Sequence, residues 1–441
     1  GDREQIIYWQ ELFTRCDVAH GRDLAKRSLD GGRSWQYLTD FPGLIYQPTG
    51  EYRTTGVTDL VRLANGVWGR VAFVSRPGWD AKCYFQRSDD EMKTWSPESV
   101  ITPRQAYNCP SSNQLRQLST GRLVYPYCFQ PSSKVDNADE NIVVTCACSD
   151  DGGESWQSSE STIRLPGRGG MEPTLAELKD GRLLMFIRNQ TGTIQQAISA
   201  DGGRTWSEAE SSGIRCSESG CYLKRIPSTG DLLLTWNDRY DPTGFEHYGR
   251  RTPLCTMISR DEGRTWENQR WLENDPWRTF GNTSITFHQD KAYFNYHVGH
   301  GVDYVGNWDG CRTIVPITWF YEPPLPDEPF QEPGAEETKA FNDHFEQVQT
   351  TEISIRRQRS SAAIFSVRNP LDIPLHGEIE WGDIYWEYMP PDPEVFTFEL
   401  APKGKVEVTT DLDSKLIRPI YALRLYDLQG YEVLFRMDLL R

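Results

Sequence analysis

Five times the chain writes a version of Ser-x-Asp-x-Gly-x-Ser/Thr-Trp: "SLDGGRSW" at 28–35, "SDDEMKTW" at 88–95, "SDDGGESW" at 149–156, "SADGGRTW" at 199–206 and "SRDEGRTW" at 259–266. Their aspartates, Asp30, Asp90, Asp151, Asp201 and Asp261, recur at intervals of about 50 to 60 residues, a period that indicates a propeller or an array. Each interval also holds a turn followed by an apolar run, as in "GRLVYPYCF" (121–129), "GRLLMFIRN" (181–189) and "GDLLLTWND" (230–238), with "KAYFNYHV" (291–298) a later member. Such runs, separated by Gly, Asp and Pro turns and lacking helical periodicity, predict an all-β chain with one four-stranded blade per repeat. The repeated motif reads as a turn device: Asp accepts bonds from the turn's own N–H groups, Gly supplies a positive φ, and Trp adds an apolar plate. In "SDDEMKTW" the Gly position is Met92, so that copy is expected to turn differently or under strain.

At 441 residues the chain has room for a large core and for more than one domain. With 63 acidic against 47 basic side chains its net charge is −16, which disfavours nonspecific binding to nucleic acid or anionic membranes and means that an anionic ligand needs a local basic pocket. No apolar run approaches the roughly 20 residues that span a bilayer. Gly1 opens a polar segment without a signal-peptide pattern, so the chain is expected to be intracellular, or secreted or periplasmic after loss of a leader. Cys146 and Cys148 lie two apart in a strand-like run, so both thiols face one side. Cys216 and Cys221 flank a short "SESG" turn and either close a local disulfide or remain free, partly buried thiols. Sequons stand at Asn189 and Asn282, and the seven histidines show no zinc spacing.

The five repeats resemble the Asp-boxes of the sialidase superfamily, in which such boxes sit on outer blade hairpins away from the active centre. Five boxes, plus a segment around 275–320 that lacks one, imply a six-bladed β-propeller over residues 1–320. "YEPPLPDEPFQEPGAEE" has five prolines and six acids and reads as a linker within 321–340. Beyond it, over 341–441, runs such as "TEISIRRQ", "AAIFSVRN" and "KVEVTT" alternate at the spacing of a β-sandwich, with a packing or glycan-binding role.

Propellers bind ligands near the mouth of the central channel, which directs attention to the residues flanking inner strands. In "GRGGMEPTLAELKDGRLLMFIRNQTG", Glu172 precedes a strand and Arg188 ends the next one, sixteen residues later, which places both at one rim if the strands form a hairpin; a surface salt bridge is the plain alternative. The stretch is similar to the sialidase segment that carries a glutamate and then an arginine of the three-arginine cluster holding the substrate carboxylate. By that resemblance Glu172 is the glutamate and Arg188 the second arginine. "RTPL" ahead of the fifth box resembles the family's Arg-x-x-Leu and gives Arg251, with Arg250 as the adjacent alternative. "EYRTTGVTDLVRLANG" resembles the opening of the first catalytic blade and gives Arg53, although "RTT" stands in place of Arg-Ile-Pro. Arginine suits the role because its planar, permanently charged fork bonds a carboxylate bidentately. Asp80, in "SRPGWDAKCYFQRSDD", resembles the acid/base aspartate in position, with Trp79 as an apolar wall that raises its pKa or as a stacking surface; otherwise it is a structural loop residue.

Sialidases use a tyrosine nucleophile, an exception to the two-carboxylate scheme. The matching segment here is "FGNTSITF", which places Asn282 where that tyrosine is expected, and Tyr293, Tyr296 or Tyr304 are the substitutes at hand. Three readings follow. The first is a sialidase-like exo-glycosidase acting on an acidic sugar terminus, with Asp80 as acid, Glu172 as base or nucleophile, and Arg53, Arg188 and Arg251 as clamp, needing neither metal nor cofactor. The second is a polysaccharide lyase that removes a uronate C5 proton, drawing on His288, Tyr293, Tyr296, His297, His300 and Tyr304. The third is a non-catalytic propeller that binds glycans or protein.

Overall fold

Strand follows strand along this chain because its apolar runs are short, bounded by turn residues, and too brief for a helix to bury a face. The computed structural model describes residues 54–76, 80–111, 113–131, 141–242, 251–300, 308–323 and 362–383. It also describes strands within 6–12, 22–28, 36–37, 352–357, 394–411, 419–426 and 432–439, and parts of 330–343. Two compact units emerge, residues 1–298 with 309–330, and 299–308 with 331–441.

The chain opens with an antiparallel sheet of β1 (Ile6–Leu12), β2 (Arg22–Ser28) and β3 (Gln36–Tyr37). Next come β4 (Thr54–Arg62), β5 (Trp68–Arg76), β6 (Asp80–Ser88) and the short β7 (Ser99–Val100), paired in that order. A parallel bridge between Ala81 and Tyr107 joins them to a set made of β8 (Tyr107–Pro110), β9 (Arg116–Gln117), β10 (Leu123–Gln130), β11 (Val143–Ser149) and β12 (Gln157–Ser158). There β8 and β9 lie end to end along one edge of β10, as one interrupted strand. Two four-stranded meanders follow. One is β13 (Met171–Glu177), β14 (Leu183–Arg188), β15 (Thr193–Ser199) and β16 (Glu210–Arg215); the other is β17 (Tyr222–Arg225), β18 (Leu232–Asn237), β19 (Leu254–Ser259) and β20 (Glu267–Glu273). A three-stranded sheet of β21 (Arg278–His288), β22 (Lys291–His300) and β23 (Trp308–Pro316) closes the series. The runs read as strands from the sequence are β10, β14, β18 and β22, and every side chain of β14 and β18 is buried.

Four of the five repeated motifs fall among the described residues and share one bonding pattern. In the third, Ser149 Oγ donates to Asp151 Oδ1 (2.7 Å) and accepts from Gly153 N (2.8 Å), while Asp151 takes Ser155 N (3.0 Å) and Ser155 Oγ (2.5 Å). Asp90, Asp201 and Asp261 repeat it. Met92 does not force a different turn: its N–H reaches Ser88 Oγ at 2.9 Å like the glycines elsewhere, and it does so at a φ of 65°, the strained left-handed region. The glycines do more than supply that φ. A Cβ on Gly153 would overlap the Phe85 ring of β6, and one on Gly263 would meet Leu184 of β14 at 2.7 Å. Two tryptophans reach the same way, Trp156 onto Phe85 and Trp266 onto Phe186, so these turns fasten their sheets to the ones before.

At the other edge of the sheets the first strands meet around Arg116. Its guanidinium donates to the carbonyls of Asn113 (2.8 Å), Leu175 of β13 (3.2 Å) and Leu223 of β17 (3.4 Å). Asn113 N bonds to the Thr58 carbonyl of β4 at 2.9 Å, and Asn113 Nδ2 and Lys224 Nζ both reach the Ile285 carbonyl of β21, at 3.0 and 2.5 Å. Five sheet motifs are thereby stitched along their first strands. Burial of this centre holds Arg116 down at about 10 despite the Asp59 charge, and burial together with Arg116 pushes Lys224 well below its ordinary value.

In the second unit, β24 (Glu352–Arg357), β25 (Ala362–Arg368), β26 (Leu375–Asp383), β27 (Glu394–Leu400), β28 (Lys405–Asp411), β29 (Pro419–Tyr426) and β30 (Glu432–Leu439) form two antiparallel sheets, β24-β25-β28 and β27-β26-β29-β30. Phe365 and Val408 of the first sheet and Ile379, Phe398 and Leu423 of the second share one core.

Two open readings are decided here. Of the alternatives for Cys216 and Cys221, the structure shows free, buried thiols. Asn189 is fully buried, its amide donating to the Ile187 and Thr193 carbonyls (3.0 and 2.9 Å) and its oxygen accepting from Thr191, so in this fold it turns the chain and offers nothing for glycan attachment. Cys146 and Cys148 do lie in one core cluster.

Gly153→Ala is expected to cost about 2–4 kcal/mol of stability, from strain at positive φ plus collision with Phe85, against about 1 kcal/mol for Gly121→Ala, where φ is also positive but the space is open. Denaturant midpoints of the two variants give the comparison, and equal losses would remove the close-approach argument.

Candidate active site

The entrance to β13 is built to throw a carboxylate out of the sheet. Gly169 forms a parallel bridge to Ile142, and at its φ of 95° any Cβ would overlap the Ile142 carbonyl. Three residues on, Glu172 itself adopts φ 41°, and the register with β14 shifts between Met171 and Thr174. This bulge takes Glu172 out of the regular alternation. Arg188, the last residue of β14, pairs with Met171 across the hairpin, so both side chains arrive at one end, with Arg188 Nη1 2.8 Å from Glu172 Oε1. The pair is mostly sheltered, with 7% and 22% of the side chains exposed.

A second carboxylate, absent from the reading of the sequence, stands behind it. The turn 216–221 between β16 and β17 is buried almost throughout, and Glu218 within it has 1% of its side chain exposed. Glu218 accepts from Arg168 Nη1 (2.7 Å) and Gln190 Nε2 (2.8 Å), and Arg188 Nη2 lies 3.8 Å from the same Oε1. The turn then delivers Gly220, where a Cβ would sit 2.8 Å from Glu172 Oε2 and 3.8 Å from the Tyr222 hydroxyl, so both groups border this glycine. Burial first, and the Glu172 charge second, hold the Tyr222 phenol far above its ordinary pKa, with Arg251 and Arg188 opposing. Tyr222 therefore stays protonated and needs a base to release its proton.

Arg251 is among the most completely buried large side chains of the fold. Its Nη1 would lie 2.7 Å from a Cβ on Gly281, so β21 approaches it only because that position is glycine. Asn282 follows at φ 52°, exposed, with Nδ2 3.3 Å from His297 Nδ1. Burial, and then the Arg251 charge, push the His297 imidazole down to about 4, so it is neutral at pH 7. Two non-glycine residues in the left-handed region, Glu172 and Asn282, thus border this centre; strain of this kind concentrates at functional sites.

The other residues singled out from the sequence are placed as follows. Asp80 is the first residue of β6, paired with Arg76, and its Oδ1 lies 3.6 Å from Lys82 Nζ. That is the end of its sheet where the first strand begins and the second ends, the end that carries Glu172 and Arg188 in the β13 sheet. Tyr296 is not at the centre: it is buried against Phe280, its hydroxyl bonding Glu273 and, at 2.7 Å, Thr313. Alternation along β22 turns it into the core. Tyr293 is likewise buried, and His288 lies six residues beyond Asn282 on β21. Of the cluster read as a lyase site, His297 lies close enough to Arg251 for the guanidinium charge to act on its imidazole. Arg53, Arg250 and Tyr304 lie outside the described residues, as does the His300 side chain. Among the described residues no three His, Cys, Asp or Glu side chains converge to hold a metal ion. No described helix is long and apolar enough to cross a membrane.

Repeats, sheets and this arginine-lined centre define a class of repeat-built β protein. The description of the BNR repeat-like domain matches residues 71–305, more than half of the chain, and the chain belongs to that family and, through it, to the sialidase superfamily. It is 28% identical over 300 residues to a sialidase of Bacteroides fragilis (strain YCH46), covering 59% of this chain and 51% of the relative. It is 28% identical over 228 residues to an anhydrosialidase of Macrobdella decora, covering 48% of this chain and 25% of that protein. The chain thus spans about half, or less, of the length of these relatives. Among solved structures, a mutant of Trypanosoma rangeli sialidase displaying trans-sialidase activity matches with TM-score 0.50 at 11% identity, over 99% of this chain and 81% of that one. The leech intramolecular trans-sialidase matches with TM-score 0.51 at 13% identity, over 72% and 67%. At such identities the likeness is one of fold.

The displaced imidazole has a measurable sign. Because the unfolded chain takes up the His297 proton near pH 6.5 and the folded chain only near 4, stability falls as pH drops from about 6.5 to about 4, by up to about 3 kcal/mol, and levels below that. Imidazole NMR titration is expected to find the His297 resonance titrating near pH 4, and His297→Gln to flatten this part of the stability profile; a His297 imidazole titrating near 6.5 would contradict the burial argument.

Proposed function

We propose that this chain is a sialidase-like glycoside hydrolase that removes a terminal acidic sugar from an oligosaccharide or glycoconjugate. We read residues 1–320 as a six-bladed propeller, 321–340 as a linker and 341–441 as a β-sandwich. The observation that carries the reading is the convergence of Glu172, Arg188 and Arg251 around the Tyr222 phenol. The first strands stitched by Arg116 and the box turns on the opposite sheet edges support a radial arrangement.

In this mechanism Arg188 and Arg251, with Arg53, hold the substrate carboxylate, the planar guanidinium matching its two oxygens. Tyr222 takes the part of the nucleophile that Asn282 cannot play. Its oxygen attacks the anomeric carbon while Glu172 accepts the phenolic proton, and a neutral attacker avoids repulsion from the adjacent carboxylate. Asp80 gives its proton to the departing glycosidic oxygen and, as a carboxylate, deprotonates the water that then attacks the anomeric carbon. The bond to Tyr222 breaks, and Glu172 returns the proton to the phenolate. A second reading, elimination from a uronate, draws on the neutral His297 beside Arg251 and Asn282.

The test is a mass spectrum of products from a pool of sialylated and uronate-terminated oligosaccharides. Products that account for one added water support hydrolysis; products without it move the assignment to elimination, and no cleavage rejects both. With a hydrolysed substrate, Arg188→Ala is expected to raise KM at least tenfold, whereas Asp80→Asn and Tyr222→Phe lower kcat at least a hundredfold with little change in KM. Wild-type kcat in Tyr222→Phe would leave direct attack by water.

A further inference from the structure

One cation at this centre has no part in the mechanism above. Arg168 sits on the loop before β13 with 48% of its side chain exposed, yet it is rigidly mounted. Its N–H donates to Gln190 Oε1 (3.0 Å), its carbonyl accepts from Ile142 N (2.9 Å), and its Nη1 is docked on the buried Glu218 at 2.7 Å. Gln190 is fixed in turn by its own bond to Glu218, at 2.8 Å. Arg168 and Arg188 approach the same oxygen of Glu218, at 2.7 and 3.8 Å, so the two guanidinium groups stand close enough to meet neighbouring substituents of one sugar.

Glu218 decides what Arg168 faces. The charge of Arg168 is already met by the buried Glu218 carboxylate at 2.7 Å, so its exposed half offers oriented N–H donors rather than an unbalanced charge. A second anionic group would go uncompensated, whereas an uncharged acceptor needs only an oriented donor. We propose that Arg168 is a specificity residue of this site, donating to an uncharged acceptor oxygen, a hydroxyl or acyl carbonyl, of the same terminal sugar whose carboxylate Arg188 and Arg251 hold, with Glu218 as the positioning residue that aims it. The inference rests on the glycosidase reading and adds a determinant of which acidic sugar is taken.

The experiment is calorimetric titration of the full chain with 3'-sialyllactose at about 50 and about 300 mM salt, the range over which surface charge is screened. The wild type is compared with Arg168→Gln, Arg168→Lys, Arg188→Gln and Arg251→Gln. Arg168→Gln is expected to bind about tenfold more weakly, by the same factor at both salt concentrations, as the loss of a hydrogen bond to a neutral group requires. Arg168→Lys keeps a charge for Glu218 but loses the fork, so it is expected to bind as weakly as Arg168→Gln while retaining the wild-type melting temperature. Recovery of binding in Arg168→Lys, or wild-type affinity in Arg168→Gln, would reduce Arg168 to a partner for Glu218 and overturn the proposal, while weakened Arg188→Gln leaves the glycosidase reading in place. A loss that fades at high salt would mean a second anionic contact and also overturn it. If Arg188→Gln and Arg251→Gln bind normally, or the wild type does not bind, the glycosidase reading falls and the assignment of Arg168 with it.

Discussion

A carboxylate that accepts bonds from its own turn is what the rest of this architecture depends on. Each described box aspartate takes the N–H and hydroxyl of the residue four positions on, while the preceding serine ties the turn's glycine N–H or its counterpart. These bonds are local and do not by themselves connect sheets. They curl the chain tightly enough that a glycine backbone and a tryptophan ring are pressed on the previous sheet, as Gly153 and Trp156 are on Phe85. Local polar satisfaction thereby becomes long-range apolar packing between neighbouring sheets.

What that frame positions is the entrance of each sheet's first strand. Because the strands of a meander alternate in direction, the start of the first and the end of the second fall together, and the residues there are free of the sheet's alternation. Glu172 and Arg188 use this in one sheet, and Tyr222 begins the first strand of the next. The backbone yields where the side chains must meet: Gly220 and Gly281 make room for Glu172 and Arg251, and Glu172 and Asn282 sit at positive φ. Buried thiols stand close enough to feel the Glu172 and Arg188 charges. Burial keeps Cys221 protonated, and for Cys109 the bond to Cys128 acts ahead of burial in the same direction.

The legible part of the sequence was the part set by short-range rules. The box turns, the strands β10, β14, β18 and β22, and the Glu172–Arg188 hairpin all lie within about twenty residues of chain, where period and turn chemistry decide the outcome. Tyr222, Glu218 and Arg168 were not legible. Their meaning comes from contacts across 28 to 50 residues, and "CSESGCYLKR" looks like an ordinary turn and strand. Tyr296 and Asn189 misled for a related reason, since neither an alternating strand nor an Asn-x-Thr triplet states which side will be buried. Met92 shows how far a motif tolerates loss of its usual residue when the remaining bonds are kept.

Arg116 gives the molecule a property that the repetition in its sequence would not lead one to expect. Chains of similar modules commonly come apart from the ends, each module lost nearly independently of the rest. Here one guanidinium draws its acceptors from the carbonyls of Asn113, Leu175 and Leu223, and Asn113 and Lys224 share another at Ile285. Releasing any one of these strands leaves a buried cation short of partners in the others. The modules are alike in sequence but coupled in energy, so they are held or lost together.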